Sequence, residues 1–433
     1  MGRLESRIGM AARLGQLLRG RTAQNLLALY GVQFANYLLP LIMLPYLARV
    51  LSVDGYGLVA FATSFAGIFN VILDYGFNLT ATRDIAVVKE DRAKVAQIVS
   101  EVVFTKATML LLALAVFGTL VTLTPSLNAH SAVMWLAFLG ILGNTFLPTW
   151  LFQGFEKLPQ LATVNLIFRS TQIPLMFLFV KSKDDVLVWL FIVAMTTIFA
   201  TALAWVQAIC RYHLRISWPR THAIRRQLEV GFPVFLSQAA VTLFTTANTF
   251  ILGTLTNLTV AGYFSAAERL VRSVFGLLAP INLVLFPRAS ALASQSESAA
   301  LAIIRKSLLL VGVLGLVLSL GLFLLSSSAV LLLLGREFIP AVQVVEVMST
   351  LPLLFALGAG LTLLVLLPFK LENQLLVVYT TSGIINLVLA FFLVPKWGAV
   401  GMATAVVAAE MSVVINQARI ALTRGINLFA RER

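Results

Sequence analysis

Apolar runs long enough to cross a bilayer recur along the whole chain, and no other feature constrains its fold as much. A helix rises 1.5 Å per residue, so about 20 apolar residues span the roughly 30 Å hydrocarbon core. We read such runs at 23–48, 56–79, 105–123, 132–153, 162–180, 186–209, 231–253, 260–286, 301–325, 341–367, 373–394 and 398–418. The stretch 329–334 is apolar but too short to cross; we place it in an outer loop or half-helix leading to Gly335. Lipid offers backbone N–H and C=O groups no water, so spanning segments of this length must be helical. The expectation is an all-α polytopic membrane protein of about 12 transmembrane helices. Composition agrees: 12% of the 433 residues are charged, about half the 25% typical of soluble domains. A soluble enzyme of two or three domains is excluded on that ground.

The basic residues orient these spans. Twelve spans put both termini on one side, and 24 of the 32 Lys and Arg residues fall on that side. Only Arg49, Lys181, Lys183, Arg336 and Lys396 fall opposite, and Arg169, Arg269 and Arg272 lie within spans. Both termini are therefore expected in the cytoplasm. The net charge of +14 then reflects loops facing anionic headgroups, and no nucleic-acid partner is expected. Residues 1–22, with Arg3, Arg7, Arg13, Arg19 and Arg21, read as a cytoplasmic amphipathic arm. The apolar run from Ala23 continues past any signal cleavage site into a full span. Organisation follows as an N-terminal lobe over 23–209, a cytoplasmic loop over 210–230, a C-terminal lobe over 231–420 and a tail over 421–433.

The lobes resemble each other. Residues 51–57 and the following Leu58-Val59-Ala60 align with 255–262 and Tyr263-Phe264-Ser265, allowing one gap, and Thr82-Arg83 then meets Pro287-Arg288. At an offset of 214, spans 162–180 and 186–209 overlay 376–394 and 400–418. Copies separated by six spans have parallel topology, which implies two six-helix lobes related by an axis along the membrane normal, around a central cavity.

Signatures of catalysis are missing. There is no phosphate-cradling G-x-x-x-x-G-K-[ST] sequence. The G-x-G-x-x-A match at Gly55–Ala60 lies in a Phe-rich span rather than a strand–helix turn. His130, His213 and His222 are scattered, and Cys210 stands alone. No cofactor, metal or catalytic residue is expected.

Charges inside spans are costly and therefore informative. Arg269 and Arg272 lie about 13–18 Å into their span. Glu268 can pair with Arg272 at i, i+4, leaving Arg269 without a local partner. They read either as a cationic site for an anionic substrate or as an interhelical structural pair. Asn165, Arg169 and Gln172 share one face of span 5, either toward a cavity or with the arginine snorkelling. Asn70 and Asp74 repeat the pattern in span 2, with Asp74 close enough to the cytoplasmic end to be solvated. Glu410, mid-span, is either a protonatable coupling site or a neutral hydrogen-bonded acid, and Glu346 reads as interfacial. Arg83 and Arg288 at span ends are topology anchors or phosphate contacts at an entrance. Arg49 either meets phosphate on the outer side or pairs with Asp54. Pro40, Pro45, Pro174, Pro233 and Pro280 interrupt spans, as in helices that line cavities. With Gln33, Asn36, Gln238, Thr242 and Thr245, the polar faces of spans 1, 2, 5, 7 and 8 point to one central cavity.

Asn25–Arg83, with Leu44–Leu51 and Gly55-Tyr56-Gly57, resembles the polysaccharide-transport branch of the multidrug/oligosaccharidyl-lipid/polysaccharide exporters, and within it the Wzx-type O-antigen flippases. Gly231-Phe232-Pro233 and Gly335-Arg336-Glu337-Phe338 fit the same pattern, and the similarity runs from about residue 23 to 420. The resemblance implies lobes forming a V that opens alternately to each side. It implies passage of an undecaprenyl-pyrophosphate-linked oligosaccharide to the periplasmic leaflet, with the polyprenyl tail left in membrane lipid. It also implies an ion gradient, for which Glu410, Glu268 and Asp74 are the candidate couplers, and partnership with a glycan polymerase and a chain-length regulator. Two other readings stay open. One is a drug or cation antiporter, which would call for a carboxylate-rich cavity. The other is a membrane glycan polymerase, which would call for a large outer loop.

Overall fold

The computed structural model describes residues 38–219, 221–276, 297–369, 371, 373–424 and 426. Every regular element among them is helical. We label α1 Leu38–Val50, α2 Ser52–Asp74, α3 Phe77–Val88, α4 Arg92–Leu123, α5 Ser131–Phe146, α6 Thr149–Gly154, α7 Leu158–Phe179 and α8 Val186–Tyr212. The second lobe holds α9 Thr221–Thr245, α10 Asn248–Leu255, α11 Leu258–Phe275, α12 Glu297–Leu324, α13 Ala341–Met348, α14 Leu351–Gly360 and α15 Asn373–Thr423. Among the described residues, eight helical segments are long and apolar enough to cross a membrane. The chain is a multi-pass membrane protein.

Breaks and caps explain where helices depart from the apolar runs. The second span ends at Tyr75, whose φ of 45° and the 81° of Gly76 turn the chain into α3; the run to residue 79 hid that elbow. Asp91 accepts from the N–H groups of Ala93 and Lys94 and starts α4 thirteen residues before the expected span. Pro148 separates α5 from α6, with Leu147 held extended before it (φ −61°, ψ 121°). Span 7 is broken at Thr246 and Ala247 into α9 and α10, and Asn257 caps α11 by accepting from the Val260 N–H. The stretch before Gly335 is short helical turns, Ser326–Ala329 and Val330–Leu334. The last two spans form α15, kinked at Gly398 (φ 53°, ψ −125°).

Large apolar side chains such as Leu111, Leu332, Phe391 and Phe392 point outward, as lipid rather than water demands. Between helices in lipid, cohesion comes from close packing more than from apolar burial. The packing is densest along α2. Phe65 stacks on Phe117 at 5.1 Å and on Phe250 of the second lobe at 4.7 Å, while Phe61 stacks on Phe250 at 5.1 Å. Ser64 Oγ donates to the Thr246 carbonyl and accepts from the Phe250 N–H, so α2 satisfies backbone groups freed at the α9–α10 break. Nearer the N-terminal end of α2, Gly57 and Gly262, aligned by the internal repeat, meet across the lobes. A Cβ on Gly57 would collide with the Leu258 carbonyl, and one on Gly262 with the Val53 carbonyl.

Candidate substrate cavity

A cavity of about 570 Å³ lies between the lobes. Pro40 and Met43 of α1, Tyr56, Thr63 and Ser64 of α2, and Thr245, Thr246 and Thr249 at the α9–α10 break line it. Arg169 and Gln172 come from α7, and Ser265, Glu268, Arg269, Arg272 and Ser273 from α11. All five spans singled out for polar faces thus contribute. Spans 4 and 6 add Asn144, Trp189, Leu190, Val193 and Thr197. Their polar residues are sparse among apolar ones, and only the three-dimensional arrangement shows that they share a wall.

The arginines are held in different ways. Arg272 Nε donates to Glu268 Oε1 at 2.9 Å and Nη2 lies 2.9 Å from the same oxygen in an ion pair, with the arginine side chain 37% exposed and the glutamate 13%. Arg269, three residues earlier, is exposed on the cavity wall, which the buried Tyr56 of the other lobe also lines. Arg169 is exposed on the far wall. Gln172, one turn along, is buried and donates to Thr196 Oγ1 at 2.8 Å, tying α7 to α8. Asn165 lines a small side cleft with Asn144, Arg169, Gln172 and Thr197; at 10 Å³ it has room for about one water.

The remaining candidates lie off the cavity wall. Glu410 is half-buried on α15, and Arg272 of α11 acts electrostatically on it, a partner that its own helix does not supply. Asp74 is not solvated as expected: Lys106 Nζ is 3.3 Å from Oδ1, and Asn78 Nδ2 donates to both carboxylate oxygens at 2.9 Å. Lys106 is a second correction. The sequence pattern assigns it to the cytoplasmic side, but the longer α4 carries it inside the protein, 2% exposed, where it also donates to the Thr145 carbonyl at 2.8 Å. The Asp91 cap and the apolar stretch before Thr105 were the signals for that extension. Arg49 donates to the Leu332 carbonyl, and Asp54 accepts from Thr259 Oγ1, so of the two alternatives for Arg49 the pair with Asp54 is not formed. Arg83 is 70% exposed beside Asp84. Glu346 is half-buried, with Ser326 Oγ 3.5 Å from its Oε1. Arg288, Pro280, Gln33 and Asn36 lie outside the described residues.

The arrangement is a cation-rich chamber of mixed polar and apolar lining between two helical lobes. A family model for a polysaccharide biosynthesis protein matches residues 22–293. The chain belongs to that family. It is 32% identical to a protein of Escherichia coli (strain K12) over 387 residues, 89% of this chain and 93% of that one. A Shigella dysenteriae protein is 29% identical over 392 residues, 90% of this chain and 98% of that one. Both carry the name "Putative O-antigen transporter". Kinship with transport proteins sets this family member apart from enzymes. Among solved structures, an inward-facing multidrug resistance MATE family transporter of the MOP superfamily is similar, with a TM-score of 0.63 at 14% identity, over 90% of this chain and 99% of that one. The lipid II flippase MurJ in an inward closed conformation gives a TM-score of 0.60 at 14% identity, over 88% and 87%. At that identity the likeness establishes the fold, two helical lobes around a central cavity.

Proposed function

We propose that this protein is a flippase that carries a lipid-linked oligosaccharide from the cytoplasmic to the periplasmic leaflet of the bacterial inner membrane. Its termini lie in the cytoplasm. The observation that carries this reading is the convergence of Arg169, Arg269 and Arg272 on one cavity, whose lining among the described residues includes a single carboxylate, Glu268. A guanidinium offers a planar fork of N–H donors that matches phosphate oxygens two at a time. An undecaprenyl pyrophosphate headgroup therefore suits the chamber, with Gln172, Asn165 and the threonines available to sugar hydroxyls and the polyprenyl tail remaining in lipid. A cavity of 570 Å³ falls within the range of about 300–1,000 Å³ found for ligand pockets. The kinship with proteins named for O-antigen transport, and the fold shared with a lipid II flippase, support the same cargo class.

Transport by alternating access would expose the chamber to each side in turn, coupled to an ion gradient through Glu410 or Glu268, the two carboxylates that act on Arg272. A drug or cation antiporter would concentrate carboxylates in the chamber, and the excess of arginine disfavours that reading. The test is export of surface glycan by Arg269→Gln and Arg272→Gln in a strain lacking the native protein. Each should abolish export while the protein remains at normal level in the membrane. Wild-type export from both would remove the anionic-cargo assignment.

A further inference from the structure

The segment that joins the two lobes is strapped along α4. Leu214, just past the end of α8, is buried with Val99, Val102 and Trp150. Ser217 donates its backbone N–H to Ser100 Oγ at 3.0 Å. Trp218 then lies against Phe104, with ring centroids 4.4 Å apart. Between and beyond these tethers the side chains of Arg215, Ile216 and Trp218 face outward, Ile216 46% and Trp218 86% exposed.

Phe104 stands where α4 changes character. Before it Arg92, Lys94 and Gln97 are exposed, and after it come the outward-pointing Leu111 and Leu112. Leu111 is about 10 Å further along the helix axis. Trp218 is therefore held at the level where hydrocarbon gives way to headgroups, the depth that indole rings favour. In water an exposed ring of that size would forgo the burial of about 150–250 Å² that aromatic side chains ordinarily gain.

The charge around it has one sign. Residues 211–226 hold five arginines and no acidic residue. Arg211 Nη1 donates to the neutral Gln160 at 3.3 Å, and Arg215 is exposed. Neither forms an ion pair among the described residues. Exposed apolar side chains next to uncompensated cations suit a surface that is apolar and anionic together, which is a bilayer carrying anionic lipid.

We propose that the inter-lobe linker is a binding platform for an anionic phospholipid. Trp218 and Ile216 enter the headgroup region, and Arg211 and Arg215 take the headgroup phosphate, which a guanidinium contacts through paired N–H donors. None of these residues lines the chamber, so the platform stands apart from the cargo reading.

The test uses the full-length protein in phosphatidylcholine nanodiscs containing a minor fraction of either phosphatidylglycerol or phosphatidylcholine brominated near the headgroup end of its acyl chains. Bromine quenches tryptophan at short range. The chain has six tryptophans, and subtracting the signal of Trp218→Phe isolates the emission of Trp218. Brominated phosphatidylglycerol should quench that emission more strongly than brominated phosphatidylcholine at equal fraction. Arg215→Gln should cut the preference about fivefold, the scale of one cation at a membrane surface, with the melting temperature unchanged, and added salt should reduce it as well. Emission from Trp218 quenched by neither lipid would place the linker in water and overturn the proposal. Equal quenching by both, or a preference that survives in the Arg211→Gln, Arg215→Gln double variant, would also overturn it, since no anionic site would then exist there.

Discussion

Breaking the ion pair between Lys106 and Asp74 should be far more damaging than removing it. The side chains are 3% and 15% exposed, and Nζ is 3.3 Å from Oδ1. Taking two charges out of water costs several kcal/mol per ion, and their mutual attraction roughly repays it. Removing one partner strands the other, at a cost of about 3–5 kcal/mol. In Asp74→Asn the ammonium would keep the Thr145 carbonyl, 2.8 Å away, and the face of Phe77, 5.8 Å from its centroid, but no counter-charge. In Lys106→Met the carboxylate would keep Asn78, which now donates to both its oxygens. Each single variant is thus expected to lose about 3 kcal/mol, with Lys106→Met the milder. The double variant, with no buried charge, should lose only about 1–2 kcal/mol, giving a coupling energy of several kcal/mol between the sites. Reversible unfolding of the four proteins in mixed micelles measures the cycle. Additive losses, or a double variant weaker than either single one, would refute the argument that the two charges stand or fall together.

Two further outcomes follow from local geometry. Gly57→Ala forces a methyl into the Leu258 carbonyl and should cost at least the 1–3 kcal/mol typical of overpacking, seen as a lower melting temperature and less protein in the membrane. Gly321→Ala, where nothing lies within 4 Å of the added Cβ, should instead be neutral or stabilise by up to about 1 kcal/mol through helix propensity; an equal loss from both would discredit the contact. Asp185 accepts from the N–H groups of Lys181 and Ser182 and from the Ser182 hydroxyl, which holds its pKa below the ordinary 3.8. A carboxylate depressed on folding stabilises at pH above its unfolded value and loses that contribution as pH falls through the lower folded one. Hydrogen exchange at the Lys181 and Ser182 amides should therefore quicken only below about pH 4, and Asp185→Asn should flatten that dependence.

Much of the architecture was legible because a bilayer imposes a length and a polarity on each segment. The interior arginines were legible for the same reason: a charge in an apolar run has to face something other than lipid, and Arg169, Arg269 and Arg272 do line one chamber. Lys106 escaped because counting apolar residues locates the membrane and not the helix; α4 begins at an Asp91 cap that hydropathy does not register. The partner of Asp54 escaped for another reason. A helical turn of sequence exposes pairs such as Glu268 and Arg272, whereas Asp54 precedes its donor Thr259 by 205 residues and comes from the other lobe. The break in span 7 was equally hidden, since Thr246 and Ala247 are unremarkable in sequence and the backbone groups freed there are satisfied by Ser64 from α2.

The lobes close on each other differently at the two ends of α2, and this bears on how the proposed cycle would run. At its N-terminal end, the outer one in the proposed orientation, the contact is backbone against backbone, glycine on glycine, with Val53 and Leu258 carbonyls at the crossing. At its C-terminal end, the cytoplasmic one in the proposed orientation, it is made largely by side chains. Tyr75 stacks on Phe235 at 4.8 Å with Gly231 against its ring, and Gln227 donates to Glu101 Oε2 at 3.0 Å. Dispersion falls so steeply with distance that a gap of 0.5–1 Å forfeits about a quarter to a half of each contact. A glycine crossing is therefore either fully seated or lost, whereas stacked rings and a long amide can follow a small rotation by changing rotamer. Under alternating access the outer seal should behave as a two-state element and the cytoplasmic one as a compliant hinge. Enlarging Gly262 should then trap the chamber open to the outside, while trimming Phe235 to leucine should only shift the balance between states. Protection of a single cysteine placed at Thr63, in a Cys210→Ser background, against a membrane-impermeant thiol reagent distinguishes the two. Graded labelling across a Gly262 series of Ala, Ser and Val would contradict a two-state outer seal.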